Sequence, residues 1–420
     1  MTTTKNNEHK KLNFSNEREQ SQACLNSAEH EKNQGRKVLN VPNLRFPEFQ
    51  GKWEYFLIND VCSEFKSGKN IKADSVFECG EYPVYGGNGL RGYTSSYNHE
   101  GSYVLIGRQG ALCGNVRSVY GKTYITEHAI AVAGNEKSNT SFLHYLFLKM
   151  NLGQYSDQSA QPGLAVNKLL KLKVALPIIS EQTKIAKLLS LLDERISTQS
   201  KIIDKLQSLI KGLEDNLLDN PLWEKTYLRS FMQFFSTNSL SWEQLSYKEG
   251  AIRNLHYGLI HGFQTRGINS ASLPMIKNEA IPKQYTLCQV GDVAFADASE
   301  DTGEIAKSVE FVDTIEGDTI CGLHTIHGRD IKNRTVVGFK GFAFNSRYFH
   351  NQIKRLAQGT KVFSITANNL SSCYVYLPDL DTQTVIVRLL KSYEEQLIID
   401  RMIFKQYEKQ KQYLLRQMFI

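Results

Sequence analysis

One short segment occurs twice in this chain, and its two copies lie 201 positions apart. The copies are LPIISEQTKIAKLL, which begins at Leu176, and LPDLDTQTVIVRLL, which begins at Leu377. In both, a strand-like run ends at a Pro and the pattern of a helix follows. A repeat at this distance constrains the fold, because each copy needs an equivalent local structure. It predicts two similar units rather than one continuous domain.

The segments around each copy also recur in the same order. The first half has short strand-like runs bounded by Gly or Asn, then a helix from Thr140 and the strand KLKVALP. In the second half, PLWEKTYL from Pro221 corresponds to KWEYFL from Lys52, and the helix SRYFHNQIKRLA and the strand CYVYLP follow. The chain is therefore predicted to be a tandem repeat of a globular domain and a helix.

A heptad pattern of apolar residues follows each Pro. Ser180 and Asp381 stand where a helix cap is expected. A polar residue interrupts each pattern at the same register, Gln199 in the first helix and Asp400 in the second. The predicted seam residues are Ile185, Leu189, Leu192, Ile196, Ile203, Leu206, Ile210, Leu213 and Leu217, matched by Ile386, Leu390, Tyr393, Leu397, Phe404, Tyr407, Leu414 and Met418.

Chain connectivity sets the direction of this pair, because two such helices that pair over their length must run antiparallel. We therefore predict an α+β fold, in which two domains of mixed β-sheet with helices are separated by two long helices that pair as an antiparallel coiled coil. The predicted segments are a disordered leader (1–40), a first domain (41–176), a first helix (177–220), a second domain (221–377) and a second helix (378–420).

Composition excludes several classes of protein. The seven cysteines are widely spaced without a CxxC pair, so the sequence predicts neither a disulfide framework nor a zinc ribbon and favours the cytoplasm. No apolar run is long enough to cross a bilayer. Residues 292–318 are strongly acidic and residues 329–361 strongly basic, an arrangement that either presents a basic face to phosphates or gives an ordinary mixed surface.

Catalytic motifs were sought and none was complete. A DNA methyltransferase needs an Asn/Asp-Pro-Pro-aromatic motif, but NPLW at Asn220 has Leu222 in place of the second Pro. GKT at Gly121 lacks the earlier Gly that a phosphate-binding loop requires. HTIH at His324 and the Glu127-His128 pair lack further ligands at zinc spacing, so no metal site is expected. The chain is therefore not expected to be an enzyme on its own.

The sequence resembles the specificity subunits of type I restriction–modification enzymes. The resemblance covers residues 41–420 and rests on the two repeated segments, the opening VPNLRFPEFQGKWE, and the motifs YPVYGGNGLRGYTSSY, VLIGRQGALCGNV and ITEHAIAV. It implies two target recognition domains that each read half of a split, asymmetric double-stranded DNA site, and two helices that separate these domains. It further implies two modification (methyltransferase) subunits and ATP-dependent restriction subunits as partners, with S-adenosylmethionine, ATP and Mg used by those partners.

Candidate DNA-binding residues follow from side-chain chemistry, since Arg and Lys read guanine, Asn and Gln read adenine, and basic groups hold phosphates. In the first domain the candidates are Lys66, Lys69, Asn70, Lys72, Asn88, Arg91, Tyr93, Arg108 and Gln109. In the second domain they are Arg253, His256, Tyr257, His261, Arg266 and Lys361.

Two other functions stay open from the sequence. One is a self-contained methyltransferase, against which the missing cofactor motifs argue. The other is a non-catalytic coiled-coil scaffold that binds protein or sugar through its two heads. A scaffold should bind DNA weakly, whereas affinity that rests on phosphate contacts falls as the salt concentration rises.

Overall fold

The computed structural model describes residues 40–157, 162–263, 266–313, 315 and 317–420, so the predicted leader lies almost wholly outside the described residues. The described chain forms two compact units. The first ends at Glu194 and also contains Lys409–Ile420, and the second is Arg195–Glu408. Each long helix therefore contributes residues to both units. Among the described residues, no helix has the length and apolar character that a membrane span requires.

The first unit is built on a mixed β-sheet. Its strands and short helices are β1 (Glu54–Leu57), α1 (Ile58–Val61), β2 (Cys62–Ser67), β3 (Tyr82–Gly86), β4 (Gly89–Thr94), β5 (His99–Gly107), β6 (Val116–Ile125), β7 (Ala129–Gly134), α2 (Thr140–Met150), α3 (Val166–Leu169) and β8 (Lys173–Leu176). Six strands lie in the order β2–β7–β5–β6–β3–β4, and β1 pairs separately with β8. β1 and β8 are antiparallel. Their pairing joins the start of the unit to its last strand, β8, which directly precedes the first long helix.

Aromatic rings form the centre of the core in this unit. Trp53 and Phe142 are buried, with ring centroids 6.0 Å apart. Phe419, from the C-terminal end of the chain, lies 5.1 Å from the ring of Phe142. The backbone N–H of Leu44 donates to the carbonyl oxygen of Gln417 at 2.8 Å. The last residues of the chain are therefore part of the first unit's core.

The first long helix, α4 (Ile179–Leu218), leads into the second unit. The elements of this unit are β9 (Glu224–Tyr227), β10 (Met232–Phe235), β11 (Leu245–Ser246), β12 (Arg253–Leu255), α5 (Tyr257–Gly262), β13 (Gly267–Ile268), β14 (Met275–Ile276), β15 (Val293–Ala296), β16 (Ala298–Ser299), β17 (Ser308–Phe311), β18 (Thr319–Cys321), β19 (Thr325–Asp330), α6 (Phe339–Ala343), α7 (Arg347–Leu356), β20 (Phe363–Ser364), α8 (Ala367–Ser372), β21 (Tyr374–Leu377) and the second long helix, α9 (Leu380–Gln417).

The second unit repeats the topology of the first, but its strands form two main sheets in place of one. The strands lie in the orders β10–β19–β15–β17–β13 and β11–β14–β12–β18. β12 runs parallel to β18, as β3 runs parallel to β6 in the first unit. β9 pairs with β21 before the second long helix, as β1 pairs with β8 before the first. The α+β fold with two mixed-sheet domains and two long helices is therefore confirmed.

The two long helices begin earlier than their predicted caps. The backbone N–H of Gln182 donates to the carbonyl oxygen of Ile178, and that of Gln383 donates to Asp379, so Ile178 and Asp379 are the cap residues. The carboxylate of Asp379 also accepts a hydrogen bond from the backbone N–H of Thr382. The predictions that Ser180 and Asp381 cap these helices were wrong. In each repeat the helix begins two residues after the Pro, so the residue directly after the Pro is the cap, although Ile178 has no polar side chain.

The repeated Gln explains why the segment occurs twice. The side-chain Nε2 of Gln182 donates to the carbonyl oxygens of Lys137 and Pro177 at 2.9 and 2.8 Å, and its Oε1 accepts from the backbone N–H of Asn139. Both N–H groups and the oxygen of the side-chain amide are used, and the side chain is fully buried. The Gln therefore ties the start of the helix to the loop that precedes α2.

Gln383 makes the same three contacts in the second unit. Its Nε2 donates to the carbonyl oxygens of Arg334 and Pro378, both at 3.0 Å, and its Oε1 accepts from the backbone N–H of Val336. Residues 334–336 precede α6 as residues 137–139 precede α2. The repeated segment is therefore a junction that fixes each long helix to its own domain.

Within the second unit, α4 and α9 run antiparallel. Gln199 Nε2 donates to Asp400 Oδ1 at 2.8 Å, and both side chains are buried. Further along α4, Glu214 shares Arg266 with Glu394 of α9, each at 2.9 Å. The contact position rises along α4 from 199 to 214 while it falls along α9 from 400 to 394. Every predicted seam position of both helices is buried or half-buried in the structure.

Candidate nucleic-acid interface

Four loops meet at one edge of the first unit's sheet, here named the first loop edge (residues 68–70, 86–91, 107–109 and 125–128). The backbone N–H of Lys69 donates to the carbonyl oxygen of Ile125, and that of Arg108 donates to the carbonyl oxygen of His128. A Cβ on Gly87 would lie 2.5 Å from the carbonyl oxygen of His128. The absence of a side chain at Gly87 therefore allows the loops to approach each other closely.

The first loop edge brings together most of the residues predicted from the first domain. Lys69 and Asn70 lie on one loop, Asn88 on the β3–β4 turn and Arg91 near the start of β4. Arg108 and Gln109 directly follow β5. All are exposed except Arg108, which is half-buried. Arg and Lys can contact guanine or phosphate, and Asn and Gln can contact adenine. The edge thus offers both the charge and the hydrogen-bonding groups that DNA recognition requires.

Three further residues predicted to bind DNA, Lys66, Lys72 and Tyr93, lie outside the first loop edge. Lys66 is exposed on β2 and forms an ion pair with Glu64 at 3.1 Å. Lys72 is exposed at the start of a short 3₁₀ turn. Tyr93 is half-buried on β4, where its backbone forms an isolated bridge with Phe77. Of these three, Lys72 has the exposure and freedom expected of a phosphate contact.

Two residues that lie at or against the first loop edge, His128 and Arg117, were not predicted from the sequence. A Cβ on Gly89 would lie 3.1 Å from the guanidinium carbon of Arg117, so this group lies against the β3–β4 turn. His128 is exposed and its Nδ1 lies 3.3 Å from Gln109 Oε1. His128 was considered only as a metal ligand, and Arg117 lies on β6 without a Gly-rich motif around it. Arg117 and His128 reach the edge because of how the strands pair, and strand pairing cannot be predicted from the residues next to them in the sequence.

An equivalent edge exists in the second unit, here named the second loop edge (residues 237–238, 255–261, 296–297 and 322–324). The backbone N–H of Asp297 donates to the carbonyl oxygen of His324, as that of Arg108 donates to His128. Ile365 then donates to Asp297 as Leu164 donates to Arg108. Asp297 therefore occupies in the second unit the position that Arg108 occupies in the first.

The side chains of the second loop edge differ from those of the first. His324 Nδ1 lies 3.0 Å from Asp297 Oδ1, and the ring of Tyr257 lies 5.3 Å from that of His324. His261 Nδ1 lies 3.2 Å from Glu304 Oε2. Lys361 is exposed on the loop before β20. The same backbone framework thus carries an acidic and aromatic surface here and a basic surface in the first unit.

Three residues predicted to bind DNA make contacts within the protein. The guanidinium of Arg253 donates to the carbonyl oxygens of Ala271 and Leu273. His256 is buried, and its Nδ1 accepts from the backbone N–H of Gly258 at the start of α5. Burial lowers the pKa of His256 to about 4, and the neighbouring His324 acts in the same direction. This imidazole is held neutral and acts as a helix cap.

Arg266 is the third of these residues. Its guanidinium binds the carboxylates of Glu214 and Glu394, one from each long helix. Desolvation raises the pKa of both carboxyls, and Arg266 acts in the opposite direction. The sequence did not indicate these ion pairs, because the two carboxylates lie far from Arg266 along the chain.

The polarised charge of the second domain also has an internal explanation. Asp292 binds Arg329 at 2.7 Å, and Glu310 binds Lys340 at 2.9 Å. Glu310 and Lys340 are both buried. These residues from the acidic and basic segments neutralise each other, so the separation of charge along the sequence does not translate directly into a basic face.

A comparison with known protein families gives a match that begins in the first unit. Residues 50–208 match the family described as Type I restriction modification DNA specificity domain. The matched residues, less than half of the chain, are similar to that family and extend beyond Glu194 into the second unit. The resemblance seen in the sequence to type I specificity subunits is confirmed.

Curated specificity subunits align with different shares of this chain. The specificity subunit of the type I restriction enzyme EcoprrI, from Escherichia coli, is 45% identical over 134 residues, which are 31% of this chain and 33% of that subunit. The chain thus matches about a third of that relative's length. The MjaVIII specificity subunit of Methanocaldococcus jannaschii is 25% identical over 405 residues, 89% of this chain and 92% of that subunit.

A solved structure extends the similarity of fold to both units of the chain. The type I restriction–modification S subunit from M. genitalium superposes with a TM-score of 0.63 at 16% identity. The match covers 90% of this chain and 99% of that one. At this identity the likeness concerns the fold, and it includes both units of the chain.

Proposed function

We propose that this chain is the DNA sequence-recognition subunit of a type I restriction–modification complex, in which each unit reads one half of a split, asymmetric site. The observation that carries the proposal is the equivalence of the two loop edges. Both are built by the same backbone hydrogen bonds, yet Arg108 stands in one where Asp297 stands in the other. A shared framework with unlike side chains is suited to reading two different sequences in the same geometry.

Base recognition by the first loop edge would use Arg108 and Arg91 on guanine and Asn88 or Gln109 on adenine. The second loop edge offers Asp297, a carboxylate that accepts from the amino group of cytosine, with His324 beside it. Tyr257 and His261 belong to the same surface. Lys69, Lys72 and Lys361, all exposed, are suited to phosphates and position the protein without reading sequence.

The paired long helices would set the spacing between the half-sites and dock two modification subunits. Exposed apolar side chains on their outer faces, among them Ile202, Leu209, Ile399 and Met402, support a docking role, since α4 and α9 already pair through other residues. Restriction subunits would join the same complex. The partners would supply S-adenosylmethionine, ATP and Mg, and this chain would neither methylate nor cut DNA alone. Such a complex acts on the host's DNA, which places it in the cytoplasm.

A binding experiment tests this proposal. Duplex DNA that contains the site should bind the chain with an affinity that falls steeply as the salt concentration rises, because counterions are released from phosphates. Arg108→Ala should weaken binding, whereas Lys173→Ala, an exposed basic residue on β8, should not. Salt-independent binding, or equal losses in the two variants, would support the scaffold hypothesis instead.

A further inference from the structure

Three metal-ligating side chains meet in the interior of the second unit. Cys288, Cys321 and His327 are 6%, 2% and 1% exposed. One ligand atom from each lies within 4.8 Å of the other two, and the sulfurs of Cys288 and Cys321 are 3.6 Å apart. Cys321 ends β18, His327 lies on β19 and Cys288 precedes β15. Strands of two different sheets and the segment before β15 therefore bring the three together.

The separation of the sulfurs suits a tetrahedral ion. Zinc binds thiolate sulfur at about 2.3 Å, so two thiolates on one tetrahedral zinc lie about 3.8 Å apart. The observed distance is close to that value before any adjustment of the side chains. Two thiolates and an imidazole are a donor set that zinc prefers over the harder cations, which take oxygen ligands.

The imidazole of His327 is already oriented by a carboxylate. Asp292 Oδ2 lies 2.7 Å from His327 Nε2. The carboxylate is fixed in turn by Arg329 and by the backbone N–H of Gln289. Zinc-bound histidines commonly use one ring nitrogen for the metal and the other for a carboxylate, which fixes the ring and increases its basicity. Asp292 is such a carboxylate partner for Nε2, so Nδ1 would be the ring nitrogen that binds the metal.

The fold itself does not require polar residues at these positions. β18 pairs with β12 as β6 pairs with β3, so Cys321 corresponds to Ile125 of the first unit. β19 pairs with β15 as β7 pairs with β5, so His327 corresponds to Ala131. Ile125 and Ala131 belong to a small apolar cluster in the first unit. The second unit therefore carries potential ligands at two positions that are apolar in the first unit.

We propose that Cys288, Cys321 and His327 bind one zinc ion that stabilises the second unit. Binding would release the two thiol protons and leave a bis-thiolate, imidazole-bound zinc, with the fourth position taken by water. The sequence indicated no metal site because the ligands lie on three separate segments and follow no motif spacing. Cys321 lies directly before residues 322–324 of the second loop edge, so the ion would hold that loop in place. The inference does not depend on the proposed DNA recognition.

Metal analysis of the full-length chain tests the proposal. Untagged protein, purified under reducing conditions from cells supplied with zinc, should contain about one zinc per chain. Cys321→Ser should lower the zinc content at least about tenfold. Cys373→Ser is the matched control, because Cys373 is also buried in the second unit but hydrogen-bonds to the carbonyl oxygen of Asn369, and it should retain the metal.

A second measurement uses the unaltered chain and so does not depend on the folding of a variant. Co²⁺ added to the metal-free protein should give the near-ultraviolet absorption of sulfur-to-cobalt charge transfer, and zinc should abolish it. The proposal is overturned if the unaltered chain holds less than about a tenth of a zinc and Co²⁺ gives no such band. It is equally overturned if mass spectrometry finds Cys288 and Cys321 joined as a disulfide after anaerobic purification.

Discussion

Two glutamines of the repeated segment make long-range hydrogen bonds that cannot be predicted from the residues beside them in the sequence. The repetition of Gln182 and Gln383 was visible in the sequence, but their function was not. Gln182 binds the carbonyl oxygen of Lys137, 45 positions away, and Gln383 binds that of Arg334, 49 positions away. A hydrogen bond to a distant backbone group leaves no local pattern, so only the structure identifies the junction.

Gln383→Ala should therefore destabilise the second unit. The change removes the side-chain partner of half-buried backbone groups of Arg334, Val336 and Pro378, at a cost of about 1–3 kcal/mol. Gln406→Ala, an exposed Gln on the same helix, should change the free energy of unfolding by less than about 0.5 kcal/mol. Urea denaturation followed by circular dichroism compares the two. Equal effects would contradict the role of Gln383 in the junction.

His144 gives the first unit a dependence on pH. Burial lowers its pKa to about 4, Lys411 acts in the same direction and Asp193 opposes them. As the pH falls below about 6.5, the unfolded chain binds this proton before the folded one does, so the free energy of unfolding falls until about pH 4. The slope should reach at most about 1.4 kcal/mol per pH unit.

His144→Gln removes this titration. The difference in unfolding free energy between the unaltered chain and the variant should change between pH 6.5 and pH 4 and stay constant above pH 7.5. Urea denaturation at a series of pH values gives the difference. A constant difference across the whole range would show that His144 titrates alike in both states.

At the scale of elements, the long helices were predictable and the loop edges were not. The heptad period places Leu189 and Ile386 on apolar faces without any knowledge of the fold. By contrast, Arg117 and His128 reach the first loop edge through the pairing of β6 with β3 and β5. Side-chain chemistry alone selected Arg253 and Arg266, which the structure uses internally. Periodic patterns predict elements, whereas sites depend on how distant elements meet.

The polar pair in the seam offers a test at this scale. Gln199 donates to Asp400 in a buried position, so Asp400→Leu should leave an unsatisfied amide and cost about 1–3 kcal/mol. The double variant Gln199→Leu, Asp400→Leu should recover part of that loss, because the Gln199 amide is gone while Gln396 still lacks the carboxylate to which it donates at 3.1 Å. A double-mutant cycle from urea denaturation measures the coupling. Additive effects would contradict a direct interaction.

For the whole molecule, the tandem repeat in the sequence predicted two units with the same fold. The structure shows which side chains differ at equivalent positions of the two units. The same backbone hydrogen bonds carry Arg108 in the first unit and Asp297 in the second. Arg108 and Asp297 could not be aligned from the sequence alone, because the strands and loops that lie between the repeated segments differ in length in the two units. The difference is the physical basis for the proposal that the two units read unlike half-sites.

Mapping methylated sites tests this central claim most directly. The chain, Arg108→Ala and Asp297→Ala would each be co-expressed with the modification subunit, and methylated positions would be read across the host genome. Each variant should relax recognition in one half of the site only, by about 1–3 kcal/mol at the affected base, and the two variants should affect opposite halves. The spacing between the halves should stay the same. Relaxation of the same half by both variants, or of both halves by either one, would contradict the account.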